Sequence, residues 1–265
     1  MSKTTAMPNI RRMFVPDPGY TLIEADLAGA DAQVVAFEAD DHELIAAFRA
    51  GLDVHDKNAT DLWGPSYTSL AGDKNLGPKS IKRTECKKGV HATNYGASPG
   101  TLAKALGWTI READSFQRRW FAIHPKLKAN FHHRIDTALR TSRMVVNKFG
   151  MRRVYFDRID SCFTEALAWI PQSTVAEVSF RGGLQLERAT GSIFDQRGQM
   201  VTPGWVEMLL QNHDSLVFQV LHENENRLDE IREGLRYPVP YPDPLVIQWG
   251  LSRSRVSWGD CEVVK

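Results

Sequence analysis

The order of apolar and polar positions divides the chain into segments. After the turn signal "PDPG" at 16–19, the run "YTLIEAD" alternates, with Thr21, Ile23 and Ala25 on one face and Leu22, Glu24 and Asp26 on the other. That pattern predicts a strand ending in an acid. From Ala32 onward, Val34, Val35, Leu44, Ile45 and Phe48 recur at helical spacing, and helical patterns dominate to about Leu139. One predicted helix opens on a capping box, Thr109 with Glu112, ahead of Phe116, Trp120 and Phe121. Another closes near His124 and Pro125. Beyond "KFGMRRVYF", the stretch "CFTEALAWIPQSTVAEVSF" predicts a further helix, interrupted or begun near Pro171. In "WVEMLLQNHDSLVFQV", two apolar β-like runs flank Asn212, His213 and Asp214, which predicts a hairpin with its acid at the tip. A final helix near Asn226 to Leu235, the proline-rich "YPVPYPDP" and a strand, "LVIQW", follow. Strand signal at both ends and helical signal between them predict an α+β arrangement, its sheet closing around a helical insertion.

Composition acts by exclusion. A chain of 265 residues suffices for one large domain or two intertwined ones. With 42% hydrophobic and 25% charged residues and a net charge of +1, it reads as an ordinary globular protein, so any basic site has to be local. The opening "MSKTTAMPNIRRM" has no apolar leader core, and no run approaches the roughly 18 apolar residues of a membrane span. The expectation is a cytoplasmic protein with no membrane partner. Cys86, Cys162 and Cys261 are too few and too scattered for a disulfide framework or a zinc site.

Two acids and one stripe carry the candidate chemistry. If the strand ending at Asp26 pairs with the hairpin carrying Asp214, the two carboxylates meet at one sheet edge and repel unless a cation binds. Magnesium takes oxygen ligands, commonly one or two carboxylates plus substrate phosphates. Taken singly, each Asp reads as a strand-end or turn residue bonded to a backbone amide.

In "IKRTECKKGVHATNYGAS", Arg83, Lys87, His91 and Tyr95 stand four residues apart, a spacing that sets all four in one band along one helix face. Lys79, Lys82 and Lys88 add to the local positive charge. Cations leading into flat rings suit a nucleoside triphosphate, with guanidinium and ammonium on phosphate and rings on sugar and base. A lone charge run is more often a solvated face. Gly89 and Gly96 within the predicted helix are read as counting against stability as its purpose.

Taken in order, "EADLAGADAQVVA", "RTECKKGVHATNYGAS", "GMRRVY", "PQSTVAEV" and "QNHDSLVFQV" resemble the motifs of family A DNA polymerases, the bacterial DNA polymerase I and phage replicase type. The resemblance runs from about Met7 to Trp258. It implies an antiparallel palm sheet built from both chain ends, 7–36 and 151–265, with helical fingers inserted at 37–150. It implies template-directed nucleotidyl transfer from dNTP to a primer 3′ end, with two Mg²⁺ ions held by Asp26, Asp214 and the backbone carbonyl of Leu27. Arg83 and Lys87 match the pair that grips the triphosphate, Lys87 also assisting the leaving pyrophosphate. Tyr95 matches the ring that closes the insertion site. His213 would lie by the primer terminus, Gln172 by the duplex minor groove and Arg152 near the template strand.

The chain departs from the pattern at four positions. His91 stands where an aromatic Phe or Tyr touches the incoming sugar, and Asp31 where a Glu forms part of the gate against a 2′-hydroxyl. Ser215 replaces a Glu after the hairpin acid, and Ala168 an Asn of the minor-groove set. The histidine pair His132 and His133 is expected to be solvated. No segment matches a thumb or a proofreading exonuclease, so the expectation is a fragment, a minimal polymerase or one subunit of a split enzyme whose second polypeptide supplies those functions. Two other functions fit the same resemblance, a catalytically silent nucleic-acid-binding subunit and a template-independent nucleotidyltransferase. Intact Asp26, Asp214, Arg83 and Lys87 weigh against the first, Tyr95 and Gln172 against the second.

Overall fold

The computed structural model describes residues 9–67 and 80–264. Met7, the expected start of the palm, and Lys79 of the basic run lie outside them. The chain forms two compact units, one of Met1–Ala30 with Val175–Lys265 and one of Asp31–Thr174.

In chain order the elements begin with β1 (Tyr20–Leu27), followed by α1 (Ala30–Ala39), α2 (His42–Arg49), α3 (Val54–Trp63), α4 (Ile81–Asn94), α5 (Pro99–Leu106) and α6 (Ile110–Ile123). A π-helical turn, Leu127–His132, leads into α7 (His133–Ser142), and a short hairpin, β2 (Met144–Val146) and β3 (Arg152–Val154), precedes the long α8 (Ile159–Ala189). The remainder is β4 (Ile193–Phe194), β5 (Met200–Thr202), β6 (Val206–Asn212), β7 (Ser215–Leu221), α9 (Leu228–Leu235), β8 (Trp249–Ser254) and β9 (Glu262–Val263).

The first unit is built on an antiparallel five-stranded sheet of order β6-β7-β1-β8-β9. Strand β7 is buried at every position from Ser215 to Val220, as its nearly unbroken apolar run requires of a central strand. Strand β1 lies between β7 and β8, burying Leu22, Ile23, Ala25 and Leu27 and leaving Asp26 exposed at its end. Leu22, Val217 and Trp258 pack together in this unit's interior. Helix α9 is tied to the sheet through Trp249, whose indole Nε1 donates to the Leu235 carbonyl at 3.1 Å.

The second unit is helical around one core that includes Trp120, Leu127, Phe131, Ile135, Leu139, Leu167 and Ile170. The predicted capping box is present, the Thr109 hydroxyl accepting from the Glu112 amide at 3.2 Å and the Glu112 carboxylate from the Thr109 amide at 2.8 Å. Two polar pairs lie inside the core: Trp120 Nε1 donates to Asn94 Oδ1 at 2.8 Å, and His124 Nδ1 lies 2.9 Å from Asp41 Oδ2.

The structure corrects several sequence expectations. Helix α8 runs unbroken through Pro171. Proline removes one helical hydrogen bond there, but Leu167, Ile170 and Thr174 on either side are wholly buried, and the Thr174 hydroxyl donates to the Ile170 carbonyl at 2.7 Å. Burial fixes both flanks. The segment "LVIQW" contributes a single bridge, Val239 with Leu245, and the sheet strand begins only at Trp249. Pairing with Leu27 sets that start, a partner the apolar alternation does not reveal. His132 is buried rather than solvated, its Nε2 2.8 Å from the Asn94 carbonyl, whereas His133 is exposed. The two glycines of the α4 region serve packing and termination. A Cβ on Gly89 would stand 2.8 Å from Phe116 Cζ, so its absence lets α6 close on α4, and Gly96 follows the helix end at φ +75°.

Candidate active site

The acidic group belongs to the sheet unit. Register pairs Asp26 with Ser215, so the end of β1 lies beside the first residue of β7. The connecting turn, His213 and Asp214, closes the β6–β7 hairpin with Asn212 opposite Ser215. His213 takes φ +55°, the left-handed conformation that lets a two-residue loop reverse the chain. The Leu27 amide donates to the Asp214 carbonyl at 3.2 Å, extending the ladder one step past the strand ends. Asp26, Leu27, His213 and Asp214 are thereby gathered at one end of the sheet, with Asp26 and His213 exposed and Asp214 half-buried. Ser215 is buried, its hydroxyl donating to the Asn212 carbonyl at 3.0 Å, so this residue braces the turn.

The stripe belongs to the helical unit. Ser80 caps α4, its hydroxyl accepting from the Arg83 amide at 3.4 Å. Cys86, Gly89, Val90 and Thr93 form the buried face. Lys87 and His91 are exposed, and the ring of Tyr95, the C-terminal cap, lies edge-on to His91 with centroids 4.4 Å apart. The Tyr95 hydroxyl donates to Asp31 Oδ2 at 2.7 Å, so the shortened acid still reaches the ring. Burial first, and then the Asp31 carboxylate, raises the Tyr95 phenol far above its ordinary range. His91 is held below the usual imidazole range by loss of solvent, Asp31 opposing and Lys87 reinforcing the shift. Lys82 takes no part in this band. It pairs with Glu85 at 2.7 Å and lies over the rings of Trp63 and Trp108.

Two neighbours of the stripe are absent from the sequence reading. Asp53, the N-cap of α3, takes the Arg83 guanidinium in a fork: Nε to Oδ2 at 3.1 Å, and Nη2 to Oδ1 and Oδ2 at 2.9 and 2.6 Å. His55 stands two residues on. Burial pushes its imidazole down to about 4, and the Lys87 and Arg83 cations push the same way against Asp53. Its Nδ1 is buried without a hydrogen-bond partner among the described residues. The string "LDVHDK" carries a helix-start signal at Asp53, but nothing in it points to an arginine 30 residues away.

The remaining expected residues stand apart. Gln172 is exposed on α8 between buried Pro171 and Ser173, and Arg152 is exposed on β3, opposite Val146. Among the described residues no hydrogen bond joins either to the stripe. Ala168 is half-buried on α8.

The sequence matches the model of DNA polymerase family A over residues 2–237. The chain belongs to DNA polymerase family A. Family A relatives include DNA polymerase I of Pseudomonas aeruginosa, 28% identical over 88% of this chain and 24% of that protein. The thermostable DNA polymerase I of Thermus filiformis is 28% identical over 95% of this chain and 29% of its own length. This chain thus spans less than a third of each of these relatives. In structure it resembles the POL domain of Pol1 from M. smegmatis, solved in complex with DNA primer-template and dNTP, with a TM-score of 0.76 at 23% identity over 95% of this chain and 42% of that one. That likeness establishes the family A polymerase fold, mixed helix and strand around an antiparallel sheet. No helix among the described residues is long and apolar enough to cross a membrane.

Proposed function

We propose that this chain carries out template-directed DNA synthesis, joining a dNTP to the 3′ end of a primer. Residues 7–36 and 151–265 form the palm and 37–150 the fingers. The primer 3′-hydroxyl gives up its proton to water, its oxygen attacks the α-phosphorus to form a new P–O bond, the bond from that phosphorus to the oxygen bridging the β-phosphate breaks, and pyrophosphate leaves. The observation that carries this reading is the register of β1 on β7, which gathers Asp26 and Asp214 at one sheet end.

The acids fit magnesium. Two carboxylates and the Leu27 carbonyl are an all-oxygen set, and two carboxylates are as many as that ion commonly takes when substrate phosphates complete its shell. Asp26, Asp214 and the Leu27 carbonyl would hold two Mg²⁺ ions, which when bound would supply neutralisation of the charge that develops during transfer. The protein's own groups do the rest. Arg83 and Lys87 hold the triphosphate, Arg83 by its planar fork and Lys87 as a point charge that also steadies the departing pyrophosphate. His55, uncharged near neutral pH, adds a ring nitrogen beside them. Tyr95 closes the insertion site, and His91 with Asp31 meets the sugar. His213 lies by the primer terminus, Gln172 by the minor groove and Arg152 by the template.

Primer extension on a template of known sequence, with magnesium and one dNTP at a time, tests this reading. Incorporation dictated by the template base is expected. Incorporation indifferent to the template indicates a template-independent nucleotidyltransferase, and duplex binding without incorporation indicates a catalytically silent subunit.

A further inference from the structure

The guanidinium that the proposed reaction assigns to phosphate is already engaged. Asp53 presents both carboxylate oxygens to Nε and Nη2 of Arg83, the planar two-point match that arginine makes with a phosphate. The pair is half-sheltered, the Arg83 side chain 14% exposed and the Asp53 side chain 42%. Asp53 is also fixed from its other side, Oδ1 accepting from the amides of His55 and Asp56 at 3.0 and 3.1 Å as it caps α3. A carboxylate pinned at a helix start cannot follow Arg83, so a phosphate that takes the Nε–Nη2 edge of the guanidinium has to displace it.

From this geometry we infer that Asp53 is an internal stand-in for the triphosphate, a positioning residue that holds Arg83 in a ligand-free arrangement and competes with the incoming nucleotide. The inference rests on the proposed assignment of Arg83 to the triphosphate. Two effects act together. The fork has to be broken before phosphate can take the Nε–Nη2 edge, and after exchange the Asp53 charge remains close to an added polyanion and repels it. Both weaken triphosphate affinity and raise the concentration at which the site fills. The device favours ligands with enough negative charge to win the exchange, so a triphosphate should displace Asp53 far better than a monophosphate.

Asp53→Asn separates this role from the structural one, because asparagine caps a helix as well as aspartate does but carries no charge. Binding of inorganic tripolyphosphate and of a dNTP, each with magnesium, is measured by calorimetry for the wild type, Asp53→Asn, Arg83→Ala and the double variant. Asp53→Asn is expected to bind both ligands about two- to fivefold more tightly, with a lower dNTP KM in primer extension, a range set by the modest worth of a partly exposed ion pair. In the Arg83→Ala background the gain should disappear. Unchanged or weaker binding by Asp53→Asn, or a gain that persists without Arg83, overturns the inference. Asp53→Ser, a second uncharged cap, carries the same test if the Asn variant fails to fold. Tighter tripolyphosphate binding without any template-directed extension would refute the polymerase reading and leave the Asp53 role standing. Normal extension with unaltered affinity would refute the Asp53 role alone.

Discussion

The Leu27 amide donates to the Asp214 carbonyl at 3.2 Å, joining the end of one strand to the turn of another hairpin. This bond and the Asp26–Ser215 pairing fix how the two acids stand along the sheet, and both depend on the turn that His213 makes at φ +55°. A β-branched residue there should strain the loop. His213→Val is expected to lower unfolding free energy by about 1–2 kcal/mol, whereas His213→Gly should stay within about 1 kcal/mol of the wild type. Urea titrations of the two variants check this, and equal stability would mean that the turn does not need the left-handed conformation.

The roles proposed for Arg83 and Lys87 predict a kinetic division. Lys87→Ala should reduce the rate of the chemical step more than duplex binding, and Arg83→Ala should chiefly raise the dNTP KM. Single-turnover kinetics beside a duplex-binding titration separate the two. If duplex affinity fell while nucleotide kinetics held, the stripe would be a DNA-docking surface.

Close packing of α4 on α6 gives a third expectation. Gly89→Ala introduces a Cβ 2.8 Å from the buried Phe116 ring, so it should destabilise the protein by about 1–3 kcal/mol. Much of that cost should vanish when Phe116→Leu is the background. A double-mutant cycle in denaturant measures the coupling, and additive effects would place the strain elsewhere.

The depressed His55 imidazole makes stability depend on pH in a stated direction. Its folded value of about 4 lies below the ordinary 6.5, so the unfolded chain binds the extra proton first. The contribution is whole above about pH 6.5 and drains away as pH falls toward 4. His55→Gln should show a shallower loss of stability across that window than the wild type. Identical slopes would show that this ring titrates normally.

Much of the fold was legible because local chemistry decided it. Alternation in "YTLIEAD" marked β1 and its terminal acid, the apolar runs around "NHD" marked the hairpin, and Thr109 with Glu112 marked the start of α6. Four-residue spacing set the stripe from Arg83 to Tyr95 on one face. What was not legible was settled by partners distant in sequence. Trp249 starts β8 because Leu27 lies opposite, Pro171 stays within α8 because its flanks are buried, and His132 is buried because the Asn94 carbonyl receives it. Asp53 shows the same limit at the candidate site, since the acid and its arginine are 30 residues apart.

Template-directed transfer at Asp26 and Asp214 is the central claim, and extension of a labelled primer by the wild type, Asp26→Asn and Asp214→Asn in magnesium tests it most directly. Loss of either acid should remove several kcal/mol of transition-state stabilisation, on the order of a thousandfold or more in rate, while the variants keep the wild-type unfolding midpoint. Wild-type extension that follows the template and collapses in both variants is the predicted result. Near-normal extension by either folded variant would contradict it.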